Sequence, residues 1–488
     1  MDSKATLEGS TPVTPAISLH HDSPGESVEM KVFNQPQIDD VQLDLPKSTT
    51  ADDDPAAIRR EMIAMASVCW SQFMAGWNDG TLGPLIPVIQ RHFDIGFMTV
   101  SMLFVSACGG FVTGGVTVIY LTDRFGFGRV LIAGSLCQIV ANAILSTTPP
   151  FPLMCATLVI NGIGTGFQNA QTSAMVASLT RNPGMKMGLL HAAYGAGACI
   201  SPLISTQFTQ IPRWSFYFLV ALGLAISNNV FQLLVFGFRT LPEVLASFGI
   251  PEVVHTADAT RTNKYRQILS LKIIYVLAFF SLLYVGTEVT IGGWIVTFLI
   301  ENRGGGTSTG YVSSGFFAGL MLGRLVLIWI NQKIGERRAV YLYSCIVIGL
   351  EFFIWFTPSL VLNAVAVSFV GLLLGDSNSV VVGGSQAMIQ SILSNSHEAD
   401  ERLATRMAFN WSNRLYREVC VYSLLIQRST STNLRSSSGM TGSAIFPFIT
   451  GVVAQKQGVQ VLQPLIVSLL GLIIITWALI PRIGKKGD

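Results

Sequence analysis

The chain has 488 residues, 50% of them hydrophobic and only 12% charged, with a mean hydropathy of +0.51. That balance excludes a soluble globular domain and describes a polytopic membrane protein. The formal net charge of +3 is small and comes from an uneven distribution of basic loop residues, so no nucleic-acid partner is implied.

In chain order, residues 1–58 are rich in Ser, Thr, Pro and Asp without an apolar run, and read as a disordered cytoplasmic tail with no cleavable signal peptide. A helix needs about 20 apolar residues to cross ~30 Å of hydrocarbon. Such stretches fall at 61–89, 98–122, 129–147, 151–179, 184–208 and 214–238, and make an N-terminal bundle over 59–238. A polar stretch at 239–269 reads as a central cytoplasmic loop. Further spans at 270–300, 310–332, 338–357, 359–393, 439–455 and 461–481 belong to a C-terminal bundle over 270–488. The predicted class is an all-α membrane protein of twelve transmembrane helices in two six-helix bundles, the eleventh helix starting late and incomplete.

Basic residues sort by side, as the positive-inside rule requires. With both termini cytoplasmic, the outer loops hold only Arg91, Arg213, Arg303 and Lys456, and Arg324 lies inside a span. All other members of the 31 Lys and Arg fall in cytoplasmic segments. Six of the 7 cysteines lie within spans and Cys420 lies in the late eleventh segment, with no paired spacing. Neither a disulfide nor a metal site is expected, and no cofactor is implied.

The two halves repeat at a fixed offset of 209 residues, which takes Asp79 to Glu288, Gly114 to Gly323, Gly126 to Gly335, Arg129 to Arg338, Gly162 to Gly371 and Gly166 to Gly375. Parallel repeats of spans are a construction of secondary transporters, with the solute site between the repeats near the bilayer midplane.

Asp79 sits in the run Gly76 to Gly83 before Pro84 and Pro87, and Glu288 sits in a similar run from Gly286 to Trp294. A charge at mid-helix costs about 2.5–3.5 kcal/mol on insertion scales, so such acids tend to face a cavity and have a use. Both are candidates for proton coupling; acids bonded structurally to nearby backbone or hydroxyl groups are the competing reading. Candidate solute contacts are Asn78, Gln168, Asn169 and Trp294, with His191 and Tyr194 from the fifth span. For Gln168, Asn169 and Gln171, interhelical bonding competes equally with solute contact. The Gly126 loop, with Asp123, Arg124 and Arg129, and its second copy, with Gly335 and Arg338, read as tight turns that hold helices in register. Asp123 is suited to cap or pair with a helix end. Arg324 is expected to face protein or snorkel, and Glu351 to be an acid at the lipid edge. No catalytic spacing of His-Glu, Ser-Lys or paired Asp lies within the spans, which argues against an intramembrane enzyme.

The parallel halves, together with the Asp123, Arg124, Gly126, Arg129 loop and its copy, resemble the major facilitator superfamily. Within it, the runs Gly76 to Pro87 and Gly286 to Trp294 resemble the fungal bypass-of-stop-codon-6-like group, related to fucose permease-like sugar carriers. The resemblance implies two bundles whose first, fourth, seventh and tenth spans face a central cavity, with Asp79, Asn169 and Glu288 on it, and it implies proton coupling. The chain departs from the pattern in two places: Ile119 stands where the loop motif has a glycine, and the fourth span has amides where fucose permease relatives have an acid.

Gly197 and Pro202 match Gly442 and Pro447 at the longer offset of 245, so residues are inserted between the copies. They fall in an atypical polar segment at 395–438. The expectation is that residues 376–438 include translated intron or misframed sequence; a genuine cytoplasmic insertion is the alternative. The functional expectation is an alternating-access carrier of a small organic solute, with sugar as the candidate class, coupled to protons. Such a carrier is a monomer in the plasma membrane, or in a vacuolar or other internal membrane. A transporter-like nutrient receptor that moves nothing, or an inactive product of a mis-spliced gene, are the alternatives.

Overall fold

The computed structural model describes residues 55–250, 272–375 and 439–480, and their regular structure is helical, with no strand among them. The tail before residue 55, the second part of the central loop, the 376–438 segment with Cys420, and the last eight residues lie outside the described residues. The helices in order are α1 (Pro55–Phe93), α2 (Phe97–Val100), α3 (Met102–Phe125), α4 (Phe127–Ser146), α5 (Phe151–Ala177), α6 (Pro183–Phe208), α7 (Tyr217–Val235) and α8 (Leu241–Ala246). They continue with α9 (Lys272–Arg303), α10 (Tyr311–Ile334), α11 (Glu336–Phe356), α12 (Leu360–Gly375), α13 (439–457) and α14 (Leu462–Ala478).

Among the described residues, eight helices are long and apolar enough to cross a membrane. α1 and α5 are not among them although they run for 39 and 27 residues. Gln72, Asn78 and Asp79 on one, and Asn161, Gln168, Asn169 and Gln171 on the other, lower their mean hydropathy. In a membrane protein that polarity turns inward, because lipid offers no hydrogen bonds. The surface is correspondingly apolar: Val116, Leu234 and Phe356 are exposed.

The sequence repeat is realised in backbone contacts. A Cβ on Gly110 would collide with the Val159 carbonyl, and one on Gly319 with the Ser368 carbonyl. Gly114 and Gly323 meet Ile163 and Leu372, Gly162 and Gly371 meet Ala107 and Phe316, and Gly166 and Gly375 meet Phe111 and Leu320 in the same way. Each second contact is the first one displaced by 209 residues at both ends. Small residues at such crossings allow the close backbone approach that drives helix association in lipid, where water supplies no hydrophobic force. Past the insertion the longer offset takes over: α6 meets α1 at Gly197 against the Phe73 carbonyl, and α13 meets α9 at Gly442 against the Leu282 carbonyl.

Gly126 and Gly335 end α3 and α10 at φ of 86° and 90°, a backbone region that L side chains rarely adopt. Their N–H groups close the last turns onto the carbonyls of Thr122 at 2.9 Å and Asn331 at 2.8 Å, again one repeat apart. The described part of the central loop is folded rather than extended. A capping box at Thr240 and Glu243 starts α8, whose Val244 packs with Phe248, Met65, Val68, Phe127 and Phe236 against the first bundle.

The halves meet at the end opposite the Gly126 and Gly335 turns. There Gln207 of α6 donates to the Tyr311 hydroxyl, and Met98 N–H donates to Gln455 Oε1 at 3.2 Å. Nearer the middle, Gly83 lies against the Gly292 carbonyl, Phe104 covers Gly293, and Cys108 Sγ contacts the Met440 carbonyl at 2.9 Å. At the turn end, Met62 and Met185 of the first half and Tyr275 of the second are exposed.

Candidate functional site

Asp79, Glu288 and Arg324 share one depth. They lie 13 to 15 residues, ~20 Å of helix, from the far ends of α1, α9 and α10. Gly76 and Gly80 bring α6 against α1 at the backbones of Tyr194 and Ala198. That close approach carries the Tyr194 hydroxyl to Asp79, where it donates to Oδ2 at 2.6 Å. Asp79 has surface of its own on the cavity, whereas Glu288 is 6% exposed.

Arg324 Nη2 is 3.5 Å from Glu288 Oε1, and its guanidinium lies 5.6 Å from the Tyr194 ring centroid. A continuous chain therefore runs Asp79, Tyr194, Arg324, Glu288, from one half of the repeat to the other. Arg324 faces protein, as one of its two expectations held, and its role as the cation of this chain was missed. The available signal was a lone basic residue in the middle of an apolar span.

The cavity on which the acids sit has a volume of about 150 Å³ and is lined by Asn78, Asp79, Asn161, Thr165, Asn169, Tyr194, Tyr217 and Glu288, with Phe104, Phe111 and Phe317 among its apolar walls. Sites for drug-sized ligands occupy roughly 300–1,000 Å³, so this one suits a smaller molecule. Asn78 Nδ2 and Asn161 Oδ1 are buried without a protein partner, one a donor and one an acceptor. Asn169 accepts from Gln72 Nε2 at 3.0 Å. Tyr217 is held by hydrogen bonds to Thr81 at 2.6 Å and Ser201 at 2.7 Å and stacks on Trp77.

Three of the candidate solute contacts lie outside this lining. Gln168 accepts from Asn228 Nδ2 at 3.4 Å, in a network where Gln232 donates to Ser71 and Ser71 to Asn228. Trp294 is fully buried, donating from Nε1 to the Pro447 carbonyl at 3.0 Å and packing against Phe97 and Phe104. His191 is exposed on α6, one turn before Tyr194. Gln171 donates to Thr122, so the amides of α5 divide between cavity and helix packing.

The turn motif works mainly through its backbone. Gly128 N–H donates to the Arg239 carbonyl at 2.9 Å, while Asp123 is exposed. Arg124 donates to the Tyr120 hydroxyl at 3.1 Å and Arg129 lies over the Phe238 ring at 6.0 Å. In the second copy Arg338 is exposed, and its neighbour Arg337 reaches the Ala478 carbonyl at 3.4 Å. Among the described residues no group of three or more His, Cys, Asp or Glu comes together as a metal site would require.

The Major Facilitator Superfamily profile matches residues 68–412. The chain belongs to the major facilitator superfamily. Bypass of stop codon protein 6 of Saccharomyces cerevisiae is 24% identical over 427 residues, covering 84% of this chain and 80% of that protein. Two solved superfamily structures share the fold. A bacterial homolog of the human lysosomal transporter Spinster, inward-facing and unoccupied, aligns with TM-score 0.63 at 10% identity, over 86% of this chain and 96% of its own. The Escherichia coli fucose:proton symporter FucP aligns with TM-score 0.57 at 12% identity, over 87% and 99%. Their likeness shows the fold, two bundles of six helices.

Proposed function

We propose that this superfamily member is a proton-coupled symporter of a small polar organic solute, a sugar being the first class to test, working by alternating access between the bundles over 59–238 and 270–488. The observation that carries the reading is the chain from Asp79 through Tyr194 and Arg324 to Glu288, which ties the two halves together at the cavity wall. Its two acids are not equivalent. Glu288 is neutralised by Arg324, whereas Asp79 has only a hydroxyl donor and faces the cavity, so Asp79 is the group that takes the proton. Protonation removes the negative charge that Tyr194 holds, loosening the link between α1 and α6 beside the solute.

Asn78 and Asn161 supply an unspent donor and acceptor to solute hydroxyls, and Tyr217 and Phe317 supply apolar surface. The fold shared with a fucose:proton symporter supports coupling and a sugar-sized solute. The excess of basic residues in the loops at the turn end supports a cytoplasmic side for that end and for both termini. The far-end closure then corresponds to an inward-facing state, in a monomer of the plasma membrane.

Solute-dependent proton movement in proteoliposomes tests the reading, with wild type compared with Asp79→Asn and Glu288→Gln over a panel of sugars and other polar solutes. Acidification by one solute class, lost in Asp79→Asn while solute counterflow persists, is the expected result. Counterflow without acidification in the wild type would leave a uniporter, and solute binding without flux would leave a receptor.

A further inference from the structure

The repeat that pairs Asp79 with Glu288 also pairs Asn142 with Glu351 and Met154 with Asn363, and at the longer offset Phe218 with Gln463. Both offsets are exact at these helices. α4 starts at Phe127 and α11 at Glu336, while the turn Trp214–Phe216 before α7 matches the turn Val459–Val461 before α14. In the first half Asn142, Met154 and Phe218 all line the cavity. In the second half the same three positions carry an acid and two amides, and all three are enclosed, at 1% exposure for Glu351 and 0% for Gln463 and Asn363.

Helix register gives the same juxtaposition. Trp477 Nε1 donates to the Arg337 carbonyl at 3.3 Å, fixing α14 antiparallel to α11. Fourteen residues along each helix from that pair, ~21 Å, lie Glu351 and Gln463. Glu351 is thus inside the bundle, not at the lipid edge where the sequence alone had placed it. Glu351 Oε2, Gln463 Oε1 and Nε2, and Asn363 Oδ1 are all buried without a protein partner. Asn363 Nδ2 is used, donating to the Thr357 carbonyl at 3.2 Å.

We propose that Glu351, Gln463 and Asn363 form a second site, enclosed within the C-terminal half and apart from the transport cavity, that binds one monovalent cation, a proton or Na⁺. Three side-chain oxygens with one negative charge among them suit a hard cation of single charge, and an ionised carboxylate enclosed without one is costly. Among the described residues Glu351 makes no ion pair. α12 and α14 carry no charged residue. Arg303 of α9 spends Nη2 on the carbonyls of Ile354 and Trp355, at 3.0 and 2.9 Å, and Arg324 of α10 is paired with Glu288. On α11 itself Arg337 and Arg338 lie at the opposite, turn end.

The test uses the purified full-length chain in lipid nanodiscs, comparing wild type, Glu351→Gln and Gln463→Leu. Thermal unfolding is followed in NaCl against N-methylglucamine chloride at equal ionic strength, and the carboxylic C=O stretch by infrared difference spectroscopy. A wild-type midpoint raised about 2 °C or more by Na⁺, and unmoved in Glu351→Gln, identifies Na⁺. Indifference to Na⁺ with a protonated-carboxyl stretch present in wild type and missing from Glu351→Gln identifies a proton. Gln463→Leu should weaken the Na⁺ effect or shift the stretch, and it decides the matter if Glu351→Gln does not fold. Variants that match wild type in both measurements would overturn the proposal.

Discussion

Asp79 and Glu288 occupy the same place in the two copies of the repeat, yet their partners differ in kind. A hydrogen bond to a charged group contributes about 1.5–3 kcal/mol, so Tyr194→Phe should slow solute-driven proton movement roughly tenfold or more. Counterflow of the solute should change less, which a paired flux measurement would reveal. Arg324 answers to a different rule. Truncating one partner of a buried ion pair strands the other, at about 3–5 kcal/mol. Arg324→Met should therefore lower the unfolding midpoint sharply, and the double variant Arg324→Met with Glu288→Gln should recover most of it. A double variant as unstable as the single one would show that the 3.5 Å contact is incidental.

Helix against helix, the fold rests on crossings where a side chain has no room. Gly319→Val drives a branched side chain into the Ser368 carbonyl, and overpacking of this kind costs about 1–3 kcal/mol. Its first-half equivalent, Gly110→Val against Val159, should cost about the same. Gly109→Ala and Gly115→Ala, whose Cβ atoms would meet nothing, should leave the midpoint unchanged. Gly335 separates conformation from crowding, because its surroundings are open and its φ is 90°. Gly335→Ala should cost about 1–2 kcal/mol from backbone strain alone. Equal stability of all these variants would remove the argument that close crossings and left-handed turns define the bundle.

For the whole molecule, the proposed alternating access requires the closure at the far end to open. Gln207 and Tyr311 touch across that closure. A cysteine pair at those two positions, oxidised in a background without the native cysteines, should stop solute exchange and restore it on reduction. Under the proposed inward-facing assignment, solute binding from the turn side should survive oxidation. Undiminished exchange by the oxidised protein would mean that this contact never has to open.

Much of this was legible before any coordinates. Spans, repeat offset, turn glycines and the two acids can be read directly, because hydropathy, glycine spacing and an acid in an apolar stretch are local properties of the chain. Partners are a different matter. α1 and α9 are buried nearly all round, so no polar stripe in their sequences indicates which way Asp79, Glu288 or Trp294 turns. Rotation of each helix is set by where glycines on its neighbours allow contact: Gly76 and Gly80 bring Tyr194 to Asp79, and Trp294 is turned into packing against Phe104. Composition and pattern by themselves determined a two-fold repeated membrane bundle with an acid in each half. Only tertiary packing decided that one acid faces a tyrosine and a cavity, that the other is paired with Arg324, and that Glu351 lies enclosed, because each of those outcomes depends on residues brought together from separate helices.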